Sequence, residues 1–94
     1  MEYDKVMDDI ISIDKRLRYE YDEINKTIFK GSDRNDLVTV DMTGNFCIEK
    51  ITFNEEMKDV EKMSDAVKEA FNNALENIKK TRIETVKEIL KEIR

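Results

Sequence analysis

Asp36–Asn54, DLVTVDMTGNFCIEKITFN, carries the hairpin to which the rest of this chain is attached. Val38, Val40 and Met42 alternate with Thr39, Asp41 and Thr43, the period-two pattern of a strand with one face in a core and one in water. Thr43-Gly44-Asn45 supplies the reversal, with Gly44 able to take a positive φ there. The returning half is less regular. Ile48 has one parity, Ile51 and Phe53 the other, and a one-residue slip sends every later side chain to the opposite face. A β-bulge near Glu49-Lys50 would absorb the extra residue and return all three to the core side.

Upstream of the hairpin, TIFKGS (27–32) is a β-branched and aromatic run that reads as a first, edge strand, and the following Asp33-Arg34-Asn35-Asp36 is turn-forming. Before it, Tyr3, Val6, Ile10, Ile13, Leu17 and Ile24 step by threes and fours, with Glu20 breaking one slot and Met7 and Tyr21 widening the seam. That is one long amphipathic helix. Downstream, Asn54 with Glu55 and Glu56 suits the start of a short helical turn running to about Met63, and Ser64 suits the cap of a long final helix. Val67, Ala70, Phe71, Ala74, Leu75 and Ile78 form one stripe on that helix, and Ile83, Val86, Ile89, Leu90 and Ile93 a second. The five residues from Ile78 to Ile83 turn the helix by roughly 140°, so the two stripes are different faces. One face covers the sheet. The other needs something else to pack on, which points to self-association.

Ninety-four residues make one domain, 1–94, of a size at which a monomer buries a modest core. Charged residues are 41% of the chain against 39% hydrophobic, a balance that favours long solvated helices and a homodimer over a thick-walled globule. One cysteine cannot form an internal disulfide, acids at Glu2, Asp4, Asp8 and Asp9 spoil a leader peptide, and no apolar run approaches a membrane span. The expectation is a cytoplasmic protein with no membrane partner.

The sequence offers little for catalysis. It has no histidine, no glycine-rich phosphate loop and no serine in a nucleophile elbow. Cys47, with no base to activate it, reads as a small strand residue. Asp33 and Asn35 suggest a calcium loop, but Leu37 occupies the third ligand position and the glycine is missing. The expectation is no enzyme, no metal, no cofactor and no small-molecule substrate.

Charge is more informative. The net charge is −5, yet residues 79–94 carry six bases (Lys79, Lys80, Arg82, Lys87, Lys91, Arg94) against three acids. With the Val86 stripe facing inward, Lys80, Lys87, Lys91 and Arg94 fall together roughly 80–140° to one side of an ideal helix. Glu84, Glu88 and Glu92 fall on the back and the other flank. A one-sided basic ridge of this kind suits duplex phosphates. Lys79 and Arg82 in the same basic terminus, and a weaker cluster of Lys15, Arg16 and Arg18 whose side chains diverge, complete the candidate set. The alternatives are ion pairing on a solvated helix, such as Glu88 with Lys91, and an acidic protein–protein interaction module on the same scaffold.

LVTVDMTGNFCIEKITFN, a short spacer and VKEAFNNALENIKK together resemble the YbaB/EbfC family of bacterial nucleoid-associated DNA-binding proteins, over roughly Gly31 to Lys80. The likeness lies in a valine-rich strand, a glycine turn, a second strand, and a helix bearing Ala70-Phe71-Asn72-Asn73-Ala74. The resemblance implies an α+β fold, α-β-β-β-α with a three-stranded antiparallel sheet between two long helices. It also implies a homodimer with helices projecting like tweezers, bound to double-stranded DNA at the nucleoid with little sequence preference. In the family, basic residues on the terminal helices are credited with touching DNA. Arg34-Asn35-Asp36 stands where the family's loop is often glycine-rich, and acids dominate the first helix.

Overall fold

A computed structural model describes residues 2–54 and 58–92, with side chains from residue 4 onward. The chain runs α1 (Glu2–Lys26), β1 (Ile28–Ser32), β2 (Val38–Thr43), β3 (Ile48–Phe53) and α2 (Val60–Lys91). The α-β-β-β-α order is the one expected. The strands form one antiparallel sheet in the order β1-β2-β3.

The hairpin register carries the bulge. Val38 pairs with Phe53, Val40 with Ile51 and Asp41 with Lys50, but Met42 pairs with Ile48, so Glu49 is the extra residue. Cross-strand partners share a face, which puts Ile48, Ile51 and Phe53 on the side of Val38, Val40 and Met42, as the parity argument requires. The turn leaves that freedom of Gly44 unused. Neither glycine has a positive φ; the left-handed positions are Phe46 (φ 67°) and Asp36 (φ 54°). Gly44 is needed for closeness instead, because a Cβ there would lie 1.9 Å from the Ile24 carbonyl oxygen. Its N–H donates to the Thr27 carbonyl at 3.1 Å, tying the hairpin to the end of α1.

The core lies between the sheet and the first half of α2. Val38, Val40 and Met42 are fully buried against Ala70, Ala74 and Ile78, with Ala66 at the edge of the cluster. Small residues let α2 lie directly on β1: a Cβ on Gly31 would come within 2.3 Å of the Ala70 carbonyl and 2.2 Å of the Ala74 nitrogen. Asn73 and Asn77, one turn apart, donate to the carbonyls of Ser32 and Lys30 at 2.7 and 2.8 Å. They satisfy acceptors that an edge strand would otherwise leave open. Ala70-Phe71-Asn72-Asn73-Ala74 is thus a strand-docking sequence.

α2 begins earlier than the sequence suggests. Asp59 is its N-cap, accepting from the N–H groups of Glu61 (3.0 Å) and Lys62 (3.4 Å), and the helix passes through Ser64 without a break. Of the short helical turn expected from Asn54 to about Met63, residues 55–57 lie outside those described, Lys58 and Asp59 are not helical, and Val60–Met63 form the first turn of α2 itself. The second stripe also divides. Ile89 is buried, whereas Ile83 and Leu90 are more than half exposed. In α1, Ile24 is buried and Ile13 and Leu17 half-buried, but Val6 and Ile10 are exposed. The seam therefore closes only over the half of α1 nearest the sheet.

Candidate nucleic-acid interface

α2 leaves the sheet at Ile78 and continues beside α1 as a two-helix arm, giving the molecule extents of 68 × 19 × 14 Å. Asn25 meets Arg82 near the base of the arm, and Arg16 pairs with Glu92 towards its tip. Thr85 and Ile89 therefore face α1. At 100° per residue, Lys80, Lys87 and Lys91 lie roughly 140–180° away from that side, on the outer surface of the arm. All three are exposed. Lys80 and Lys91 are about 16 Å apart along the helix axis. Lys80 and Lys87 flank Ile83 in a shallow groove that also touches Glu76, Asn77, Lys79 and Glu84.

Pairing sorts the candidate cations. Lys80, Lys87 and Lys91 form no ion pair with any described residue, and Lys15 forms none either. Lys79 lies 3.9 Å from Glu76, and Arg18 3.0 Å from Asp14. Arg16 is held by Glu92. Arg94 lies outside the described residues.

Arg82 does not belong on the ridge. Its Nη2 donates to the Gly44 carbonyl at 2.7 Å and to Asn25 Oδ1 at 3.1 Å, and its guanidinium carbon lies 5.4 Å from the Tyr21 ring and 4.9 Å from the Phe46 ring. The sequence held a clue to this. Counted from Val86, Arg82 falls roughly 40° from the middle of the apolar stripe, on the packed side and away from the lysines. Its partners, 38 and 57 residues earlier in the chain, had no such signal.

A second polar cluster closes the other end of the sheet. Asp33 is buried, and its two oxygens accept from Val38 N at 2.8 Å and Asn35 N at 3.1 Å. Burial pushes its carboxyl up, but the backbone donors outweigh this and hold it below the usual carboxylate range. Arg34 donates to Glu69 from both backbone and side chain, which lowers the Glu69 carboxyl. These groups fasten the β1–β2 loop to α2. No metal-binding cluster of histidine, cysteine or carboxylates occurs among the described residues. No helix among them is long and apolar enough to cross a membrane.

Residues 1–93 match the YbaB/EbfC DNA-binding family. The chain belongs to that family. A nucleoid-associated protein of Ligilactobacillus salivarius (strain UCC118) is 32% identical over 89 residues, covering 92% of this chain and 86% of the relative. One from Lactococcus lactis subsp. cremoris (strain MG1363) is 30% identical over 83 residues, covering 85% and 84%. The fold also matches an uncharacterized protein of Helicobacter pylori with a TM-score of 0.80 at 15% identity, over 96% of this chain and 98% of that one.

Proposed function

We propose that this protein binds duplex DNA as a homodimer, through backbone phosphates and with little sequence preference, and that the contact is made by Lys80, Lys87 and Lys91 on the outer face of α2. One observation carries the reading. Each of the four described arginines is engaged within the chain, Arg16 by Glu92, Arg18 by Asp14, Arg34 by Glu69 and Arg82 by Gly44 and Asn25, while the ridge lysines form no ion pair among the described residues. Arginine's planar fork reads guanine edges; lysine meets phosphate as a point charge. A ridge made of lysine suits positioning on the backbone more than reading bases. Arg94 and Lys15 are secondary contacts in this reading. A protein acting this way works at the nucleoid, in the bacterial cytoplasm, and performs no catalysis.

Dimerisation is supported by β3. α2 covers β1 and β2 and does not reach β3. Ile48 and Phe53 share the core-side face yet remain 47% and 46% exposed, and Ile51, which packs against the core cluster, is only half-buried. A second copy applied there would cover this surface and present two arms to one duplex.

The test is a mobility shift with mixed-sequence duplex across salt. Six ridge lysines in a dimer imply a log–log salt slope of about −5, a loss of about a thousandfold between 50 and 200 mM. K80E/K87E/K91E should abolish the shift while leaving the fold intact, since none of the three touches the core. A triple variant that shifts DNA like the parent would make the ridge a solvated face and favour a protein partner instead.

A further inference from the structure

We infer that Arg82 is a positioning residue for DNA binding: it fixes the direction of the arm that carries the lysine ridge and does not itself touch the duplex. This inference rests on the DNA-binding reading above. Three parts of the fold converge at this one side chain. Asn25 and Tyr21 come from α1, Gly44 and Phe46 from the β2–β3 turn, and Arg82 itself from α2 at the root of the arm. The turn is in its own way fixed. Gly44 is pressed against the Ile24 carbonyl, and Phe46 is held in the left-handed region, uncommon for a bulky residue, with its N–H donating to the Thr43 carbonyl at 2.9 Å. Arg82 Nε is enclosed with no acceptor, a desolvation cost that the two hydrogen bonds and two rings offset.

Little else holds the arm. Beyond Arg82, Ile89 is the only buried side chain of α2 among the described residues. Two clefts open along the seam, one of about 210 Å³ between Ser12, Ile13 and Ile89, the other of about 440 Å³ between Arg16, Thr81 and Thr85. The Arg16–Glu92 pair towards the tip is half exposed and weak by nature. The base clasp therefore sets the angle of the arm, and with it the separation of two ridges in a dimer. Ridge spacing decides how many phosphates can be met at once. Lysine is a poor substitute for Arg82, because it lacks the planar guanidinium that packs on the Tyr21 and Phe46 rings while one of its nitrogens bonds both acceptors.

The experiment compares the parent, R82K, R82Q, N25A and the ridge variant K80Q/K87Q/K91Q. Affinity for mixed-sequence duplex is measured across salt, and amide exchange of residues 13–25 and 79–91 is measured without DNA. Asn25 carries no charge, so N25A tests the clasp with every cation in place and serves even if R82K folds poorly. R82K should lose about tenfold in affinity and N25A about threefold, both with faster exchange in the arm and the parent's salt slope. The ridge variant should instead flatten the slope by about 0.9 for each phosphate no longer neutralised, with arm exchange unchanged. If R82Q, which removes the charge that R82K keeps, flattens the slope by about one phosphate per protomer and leaves exchange alone, Arg82 is a phosphate ligand and the inference is overturned. Parent-like affinity in R82K and N25A overturns it too. A parent that fails to shift DNA at low salt removes the DNA-binding reading itself, and the positioning role with it.

Discussion

At Gly31 and Gly44 the side chain is excluded by backbone on the far side of a tertiary contact. Added methyl groups would strike the Ala70 and Ala74 backbone in one case and the Ile24 carbonyl in the other. G31A and G44A should each destabilise by about 2–4 kcal/mol, read as a lower urea midpoint at fixed protein concentration. In the sequence, Gly44 stands in a turn and attracts the positive φ. The positive φ belongs instead to Phe46. The need for glycine comes from a helix end twenty residues back along the chain, which turn chemistry cannot reveal. Asp33 was equally opaque. Its spacing raised and then failed the calcium pattern, whereas its work is to accept two backbone N–H groups of its own loop. Its folded pKa is depressed, so its contribution to stability is present above the ordinary carboxylate pKa and is lost as pH falls through the lower folded value. D33N should therefore be less stable than the parent at pH 7, by about 1–2 kcal/mol for the missing acceptor. That gap should shrink as denaturation is repeated at progressively lower pH through the acid range; a gap independent of pH would remove the carboxylate from the explanation.

Among elements, β3 was the most legible and the start of α2 the least. The parity break between Ile48 and Ile51 is a one-dimensional signal, and geometry leaves a bulge as its simplest resolution; the register places it at Glu49. In the sequence Ser64 reads as the cap of the long helix and Asp59, five residues earlier and equally suited by residue type, is passed over, because capping preference alone does not choose between them. Tertiary packing chooses. Ala66 must already be helical to close the core cluster, and the helix extends backwards until Asp59 can take its free N–H groups. D59A should cost about 1 kcal/mol in thermal or urea unfolding. S64A, at an interior position, should be neutral or stabilising by up to about 0.5 kcal/mol. The reverse ranking would restore Ser64 as the cap.

The whole molecule is drawn out. Its radius of gyration is 18.7 Å, against about 12 Å for a compact chain of this length. The arm accounts for the difference, and charge patterning had made it visible: a helix with two apolar faces and a one-sided row of lysines cannot all be folded inward. The second stripe had suggested itself as the dimer surface. The uncovered apolar face of β3 offers the better candidate, while Ile83 and Leu90 sit among the lysines on the outer arm. I48E/F53E should convert a dimer near twice the 11.2 kDa chain mass into a monomer by light scattering, with lower thermal stability at equal concentration. A parent that scatters as a monomer at micromolar concentration would sink the dimer and, with it, the paired ridges. A variant that stays dimeric would move the interface off β3.

The order of the elements has a consequence for how the chain is born. The inner faces of β1 and β2 are closed by Ala66–Ile78, which is translated after both strands it covers, and α1, made first, finds its partner in the last turns of α2. Despite two long helices, the pairings that close the core join distant parts of the chain, so folding should be slow for a protein this small. A ribosome stalled before Ile78 would hold out a bare hairpin with Val38, Val40 and Met42 facing water and an open strand on each side. Such a nascent chain is a natural client for a holding chaperone until α2 arrives to cover it.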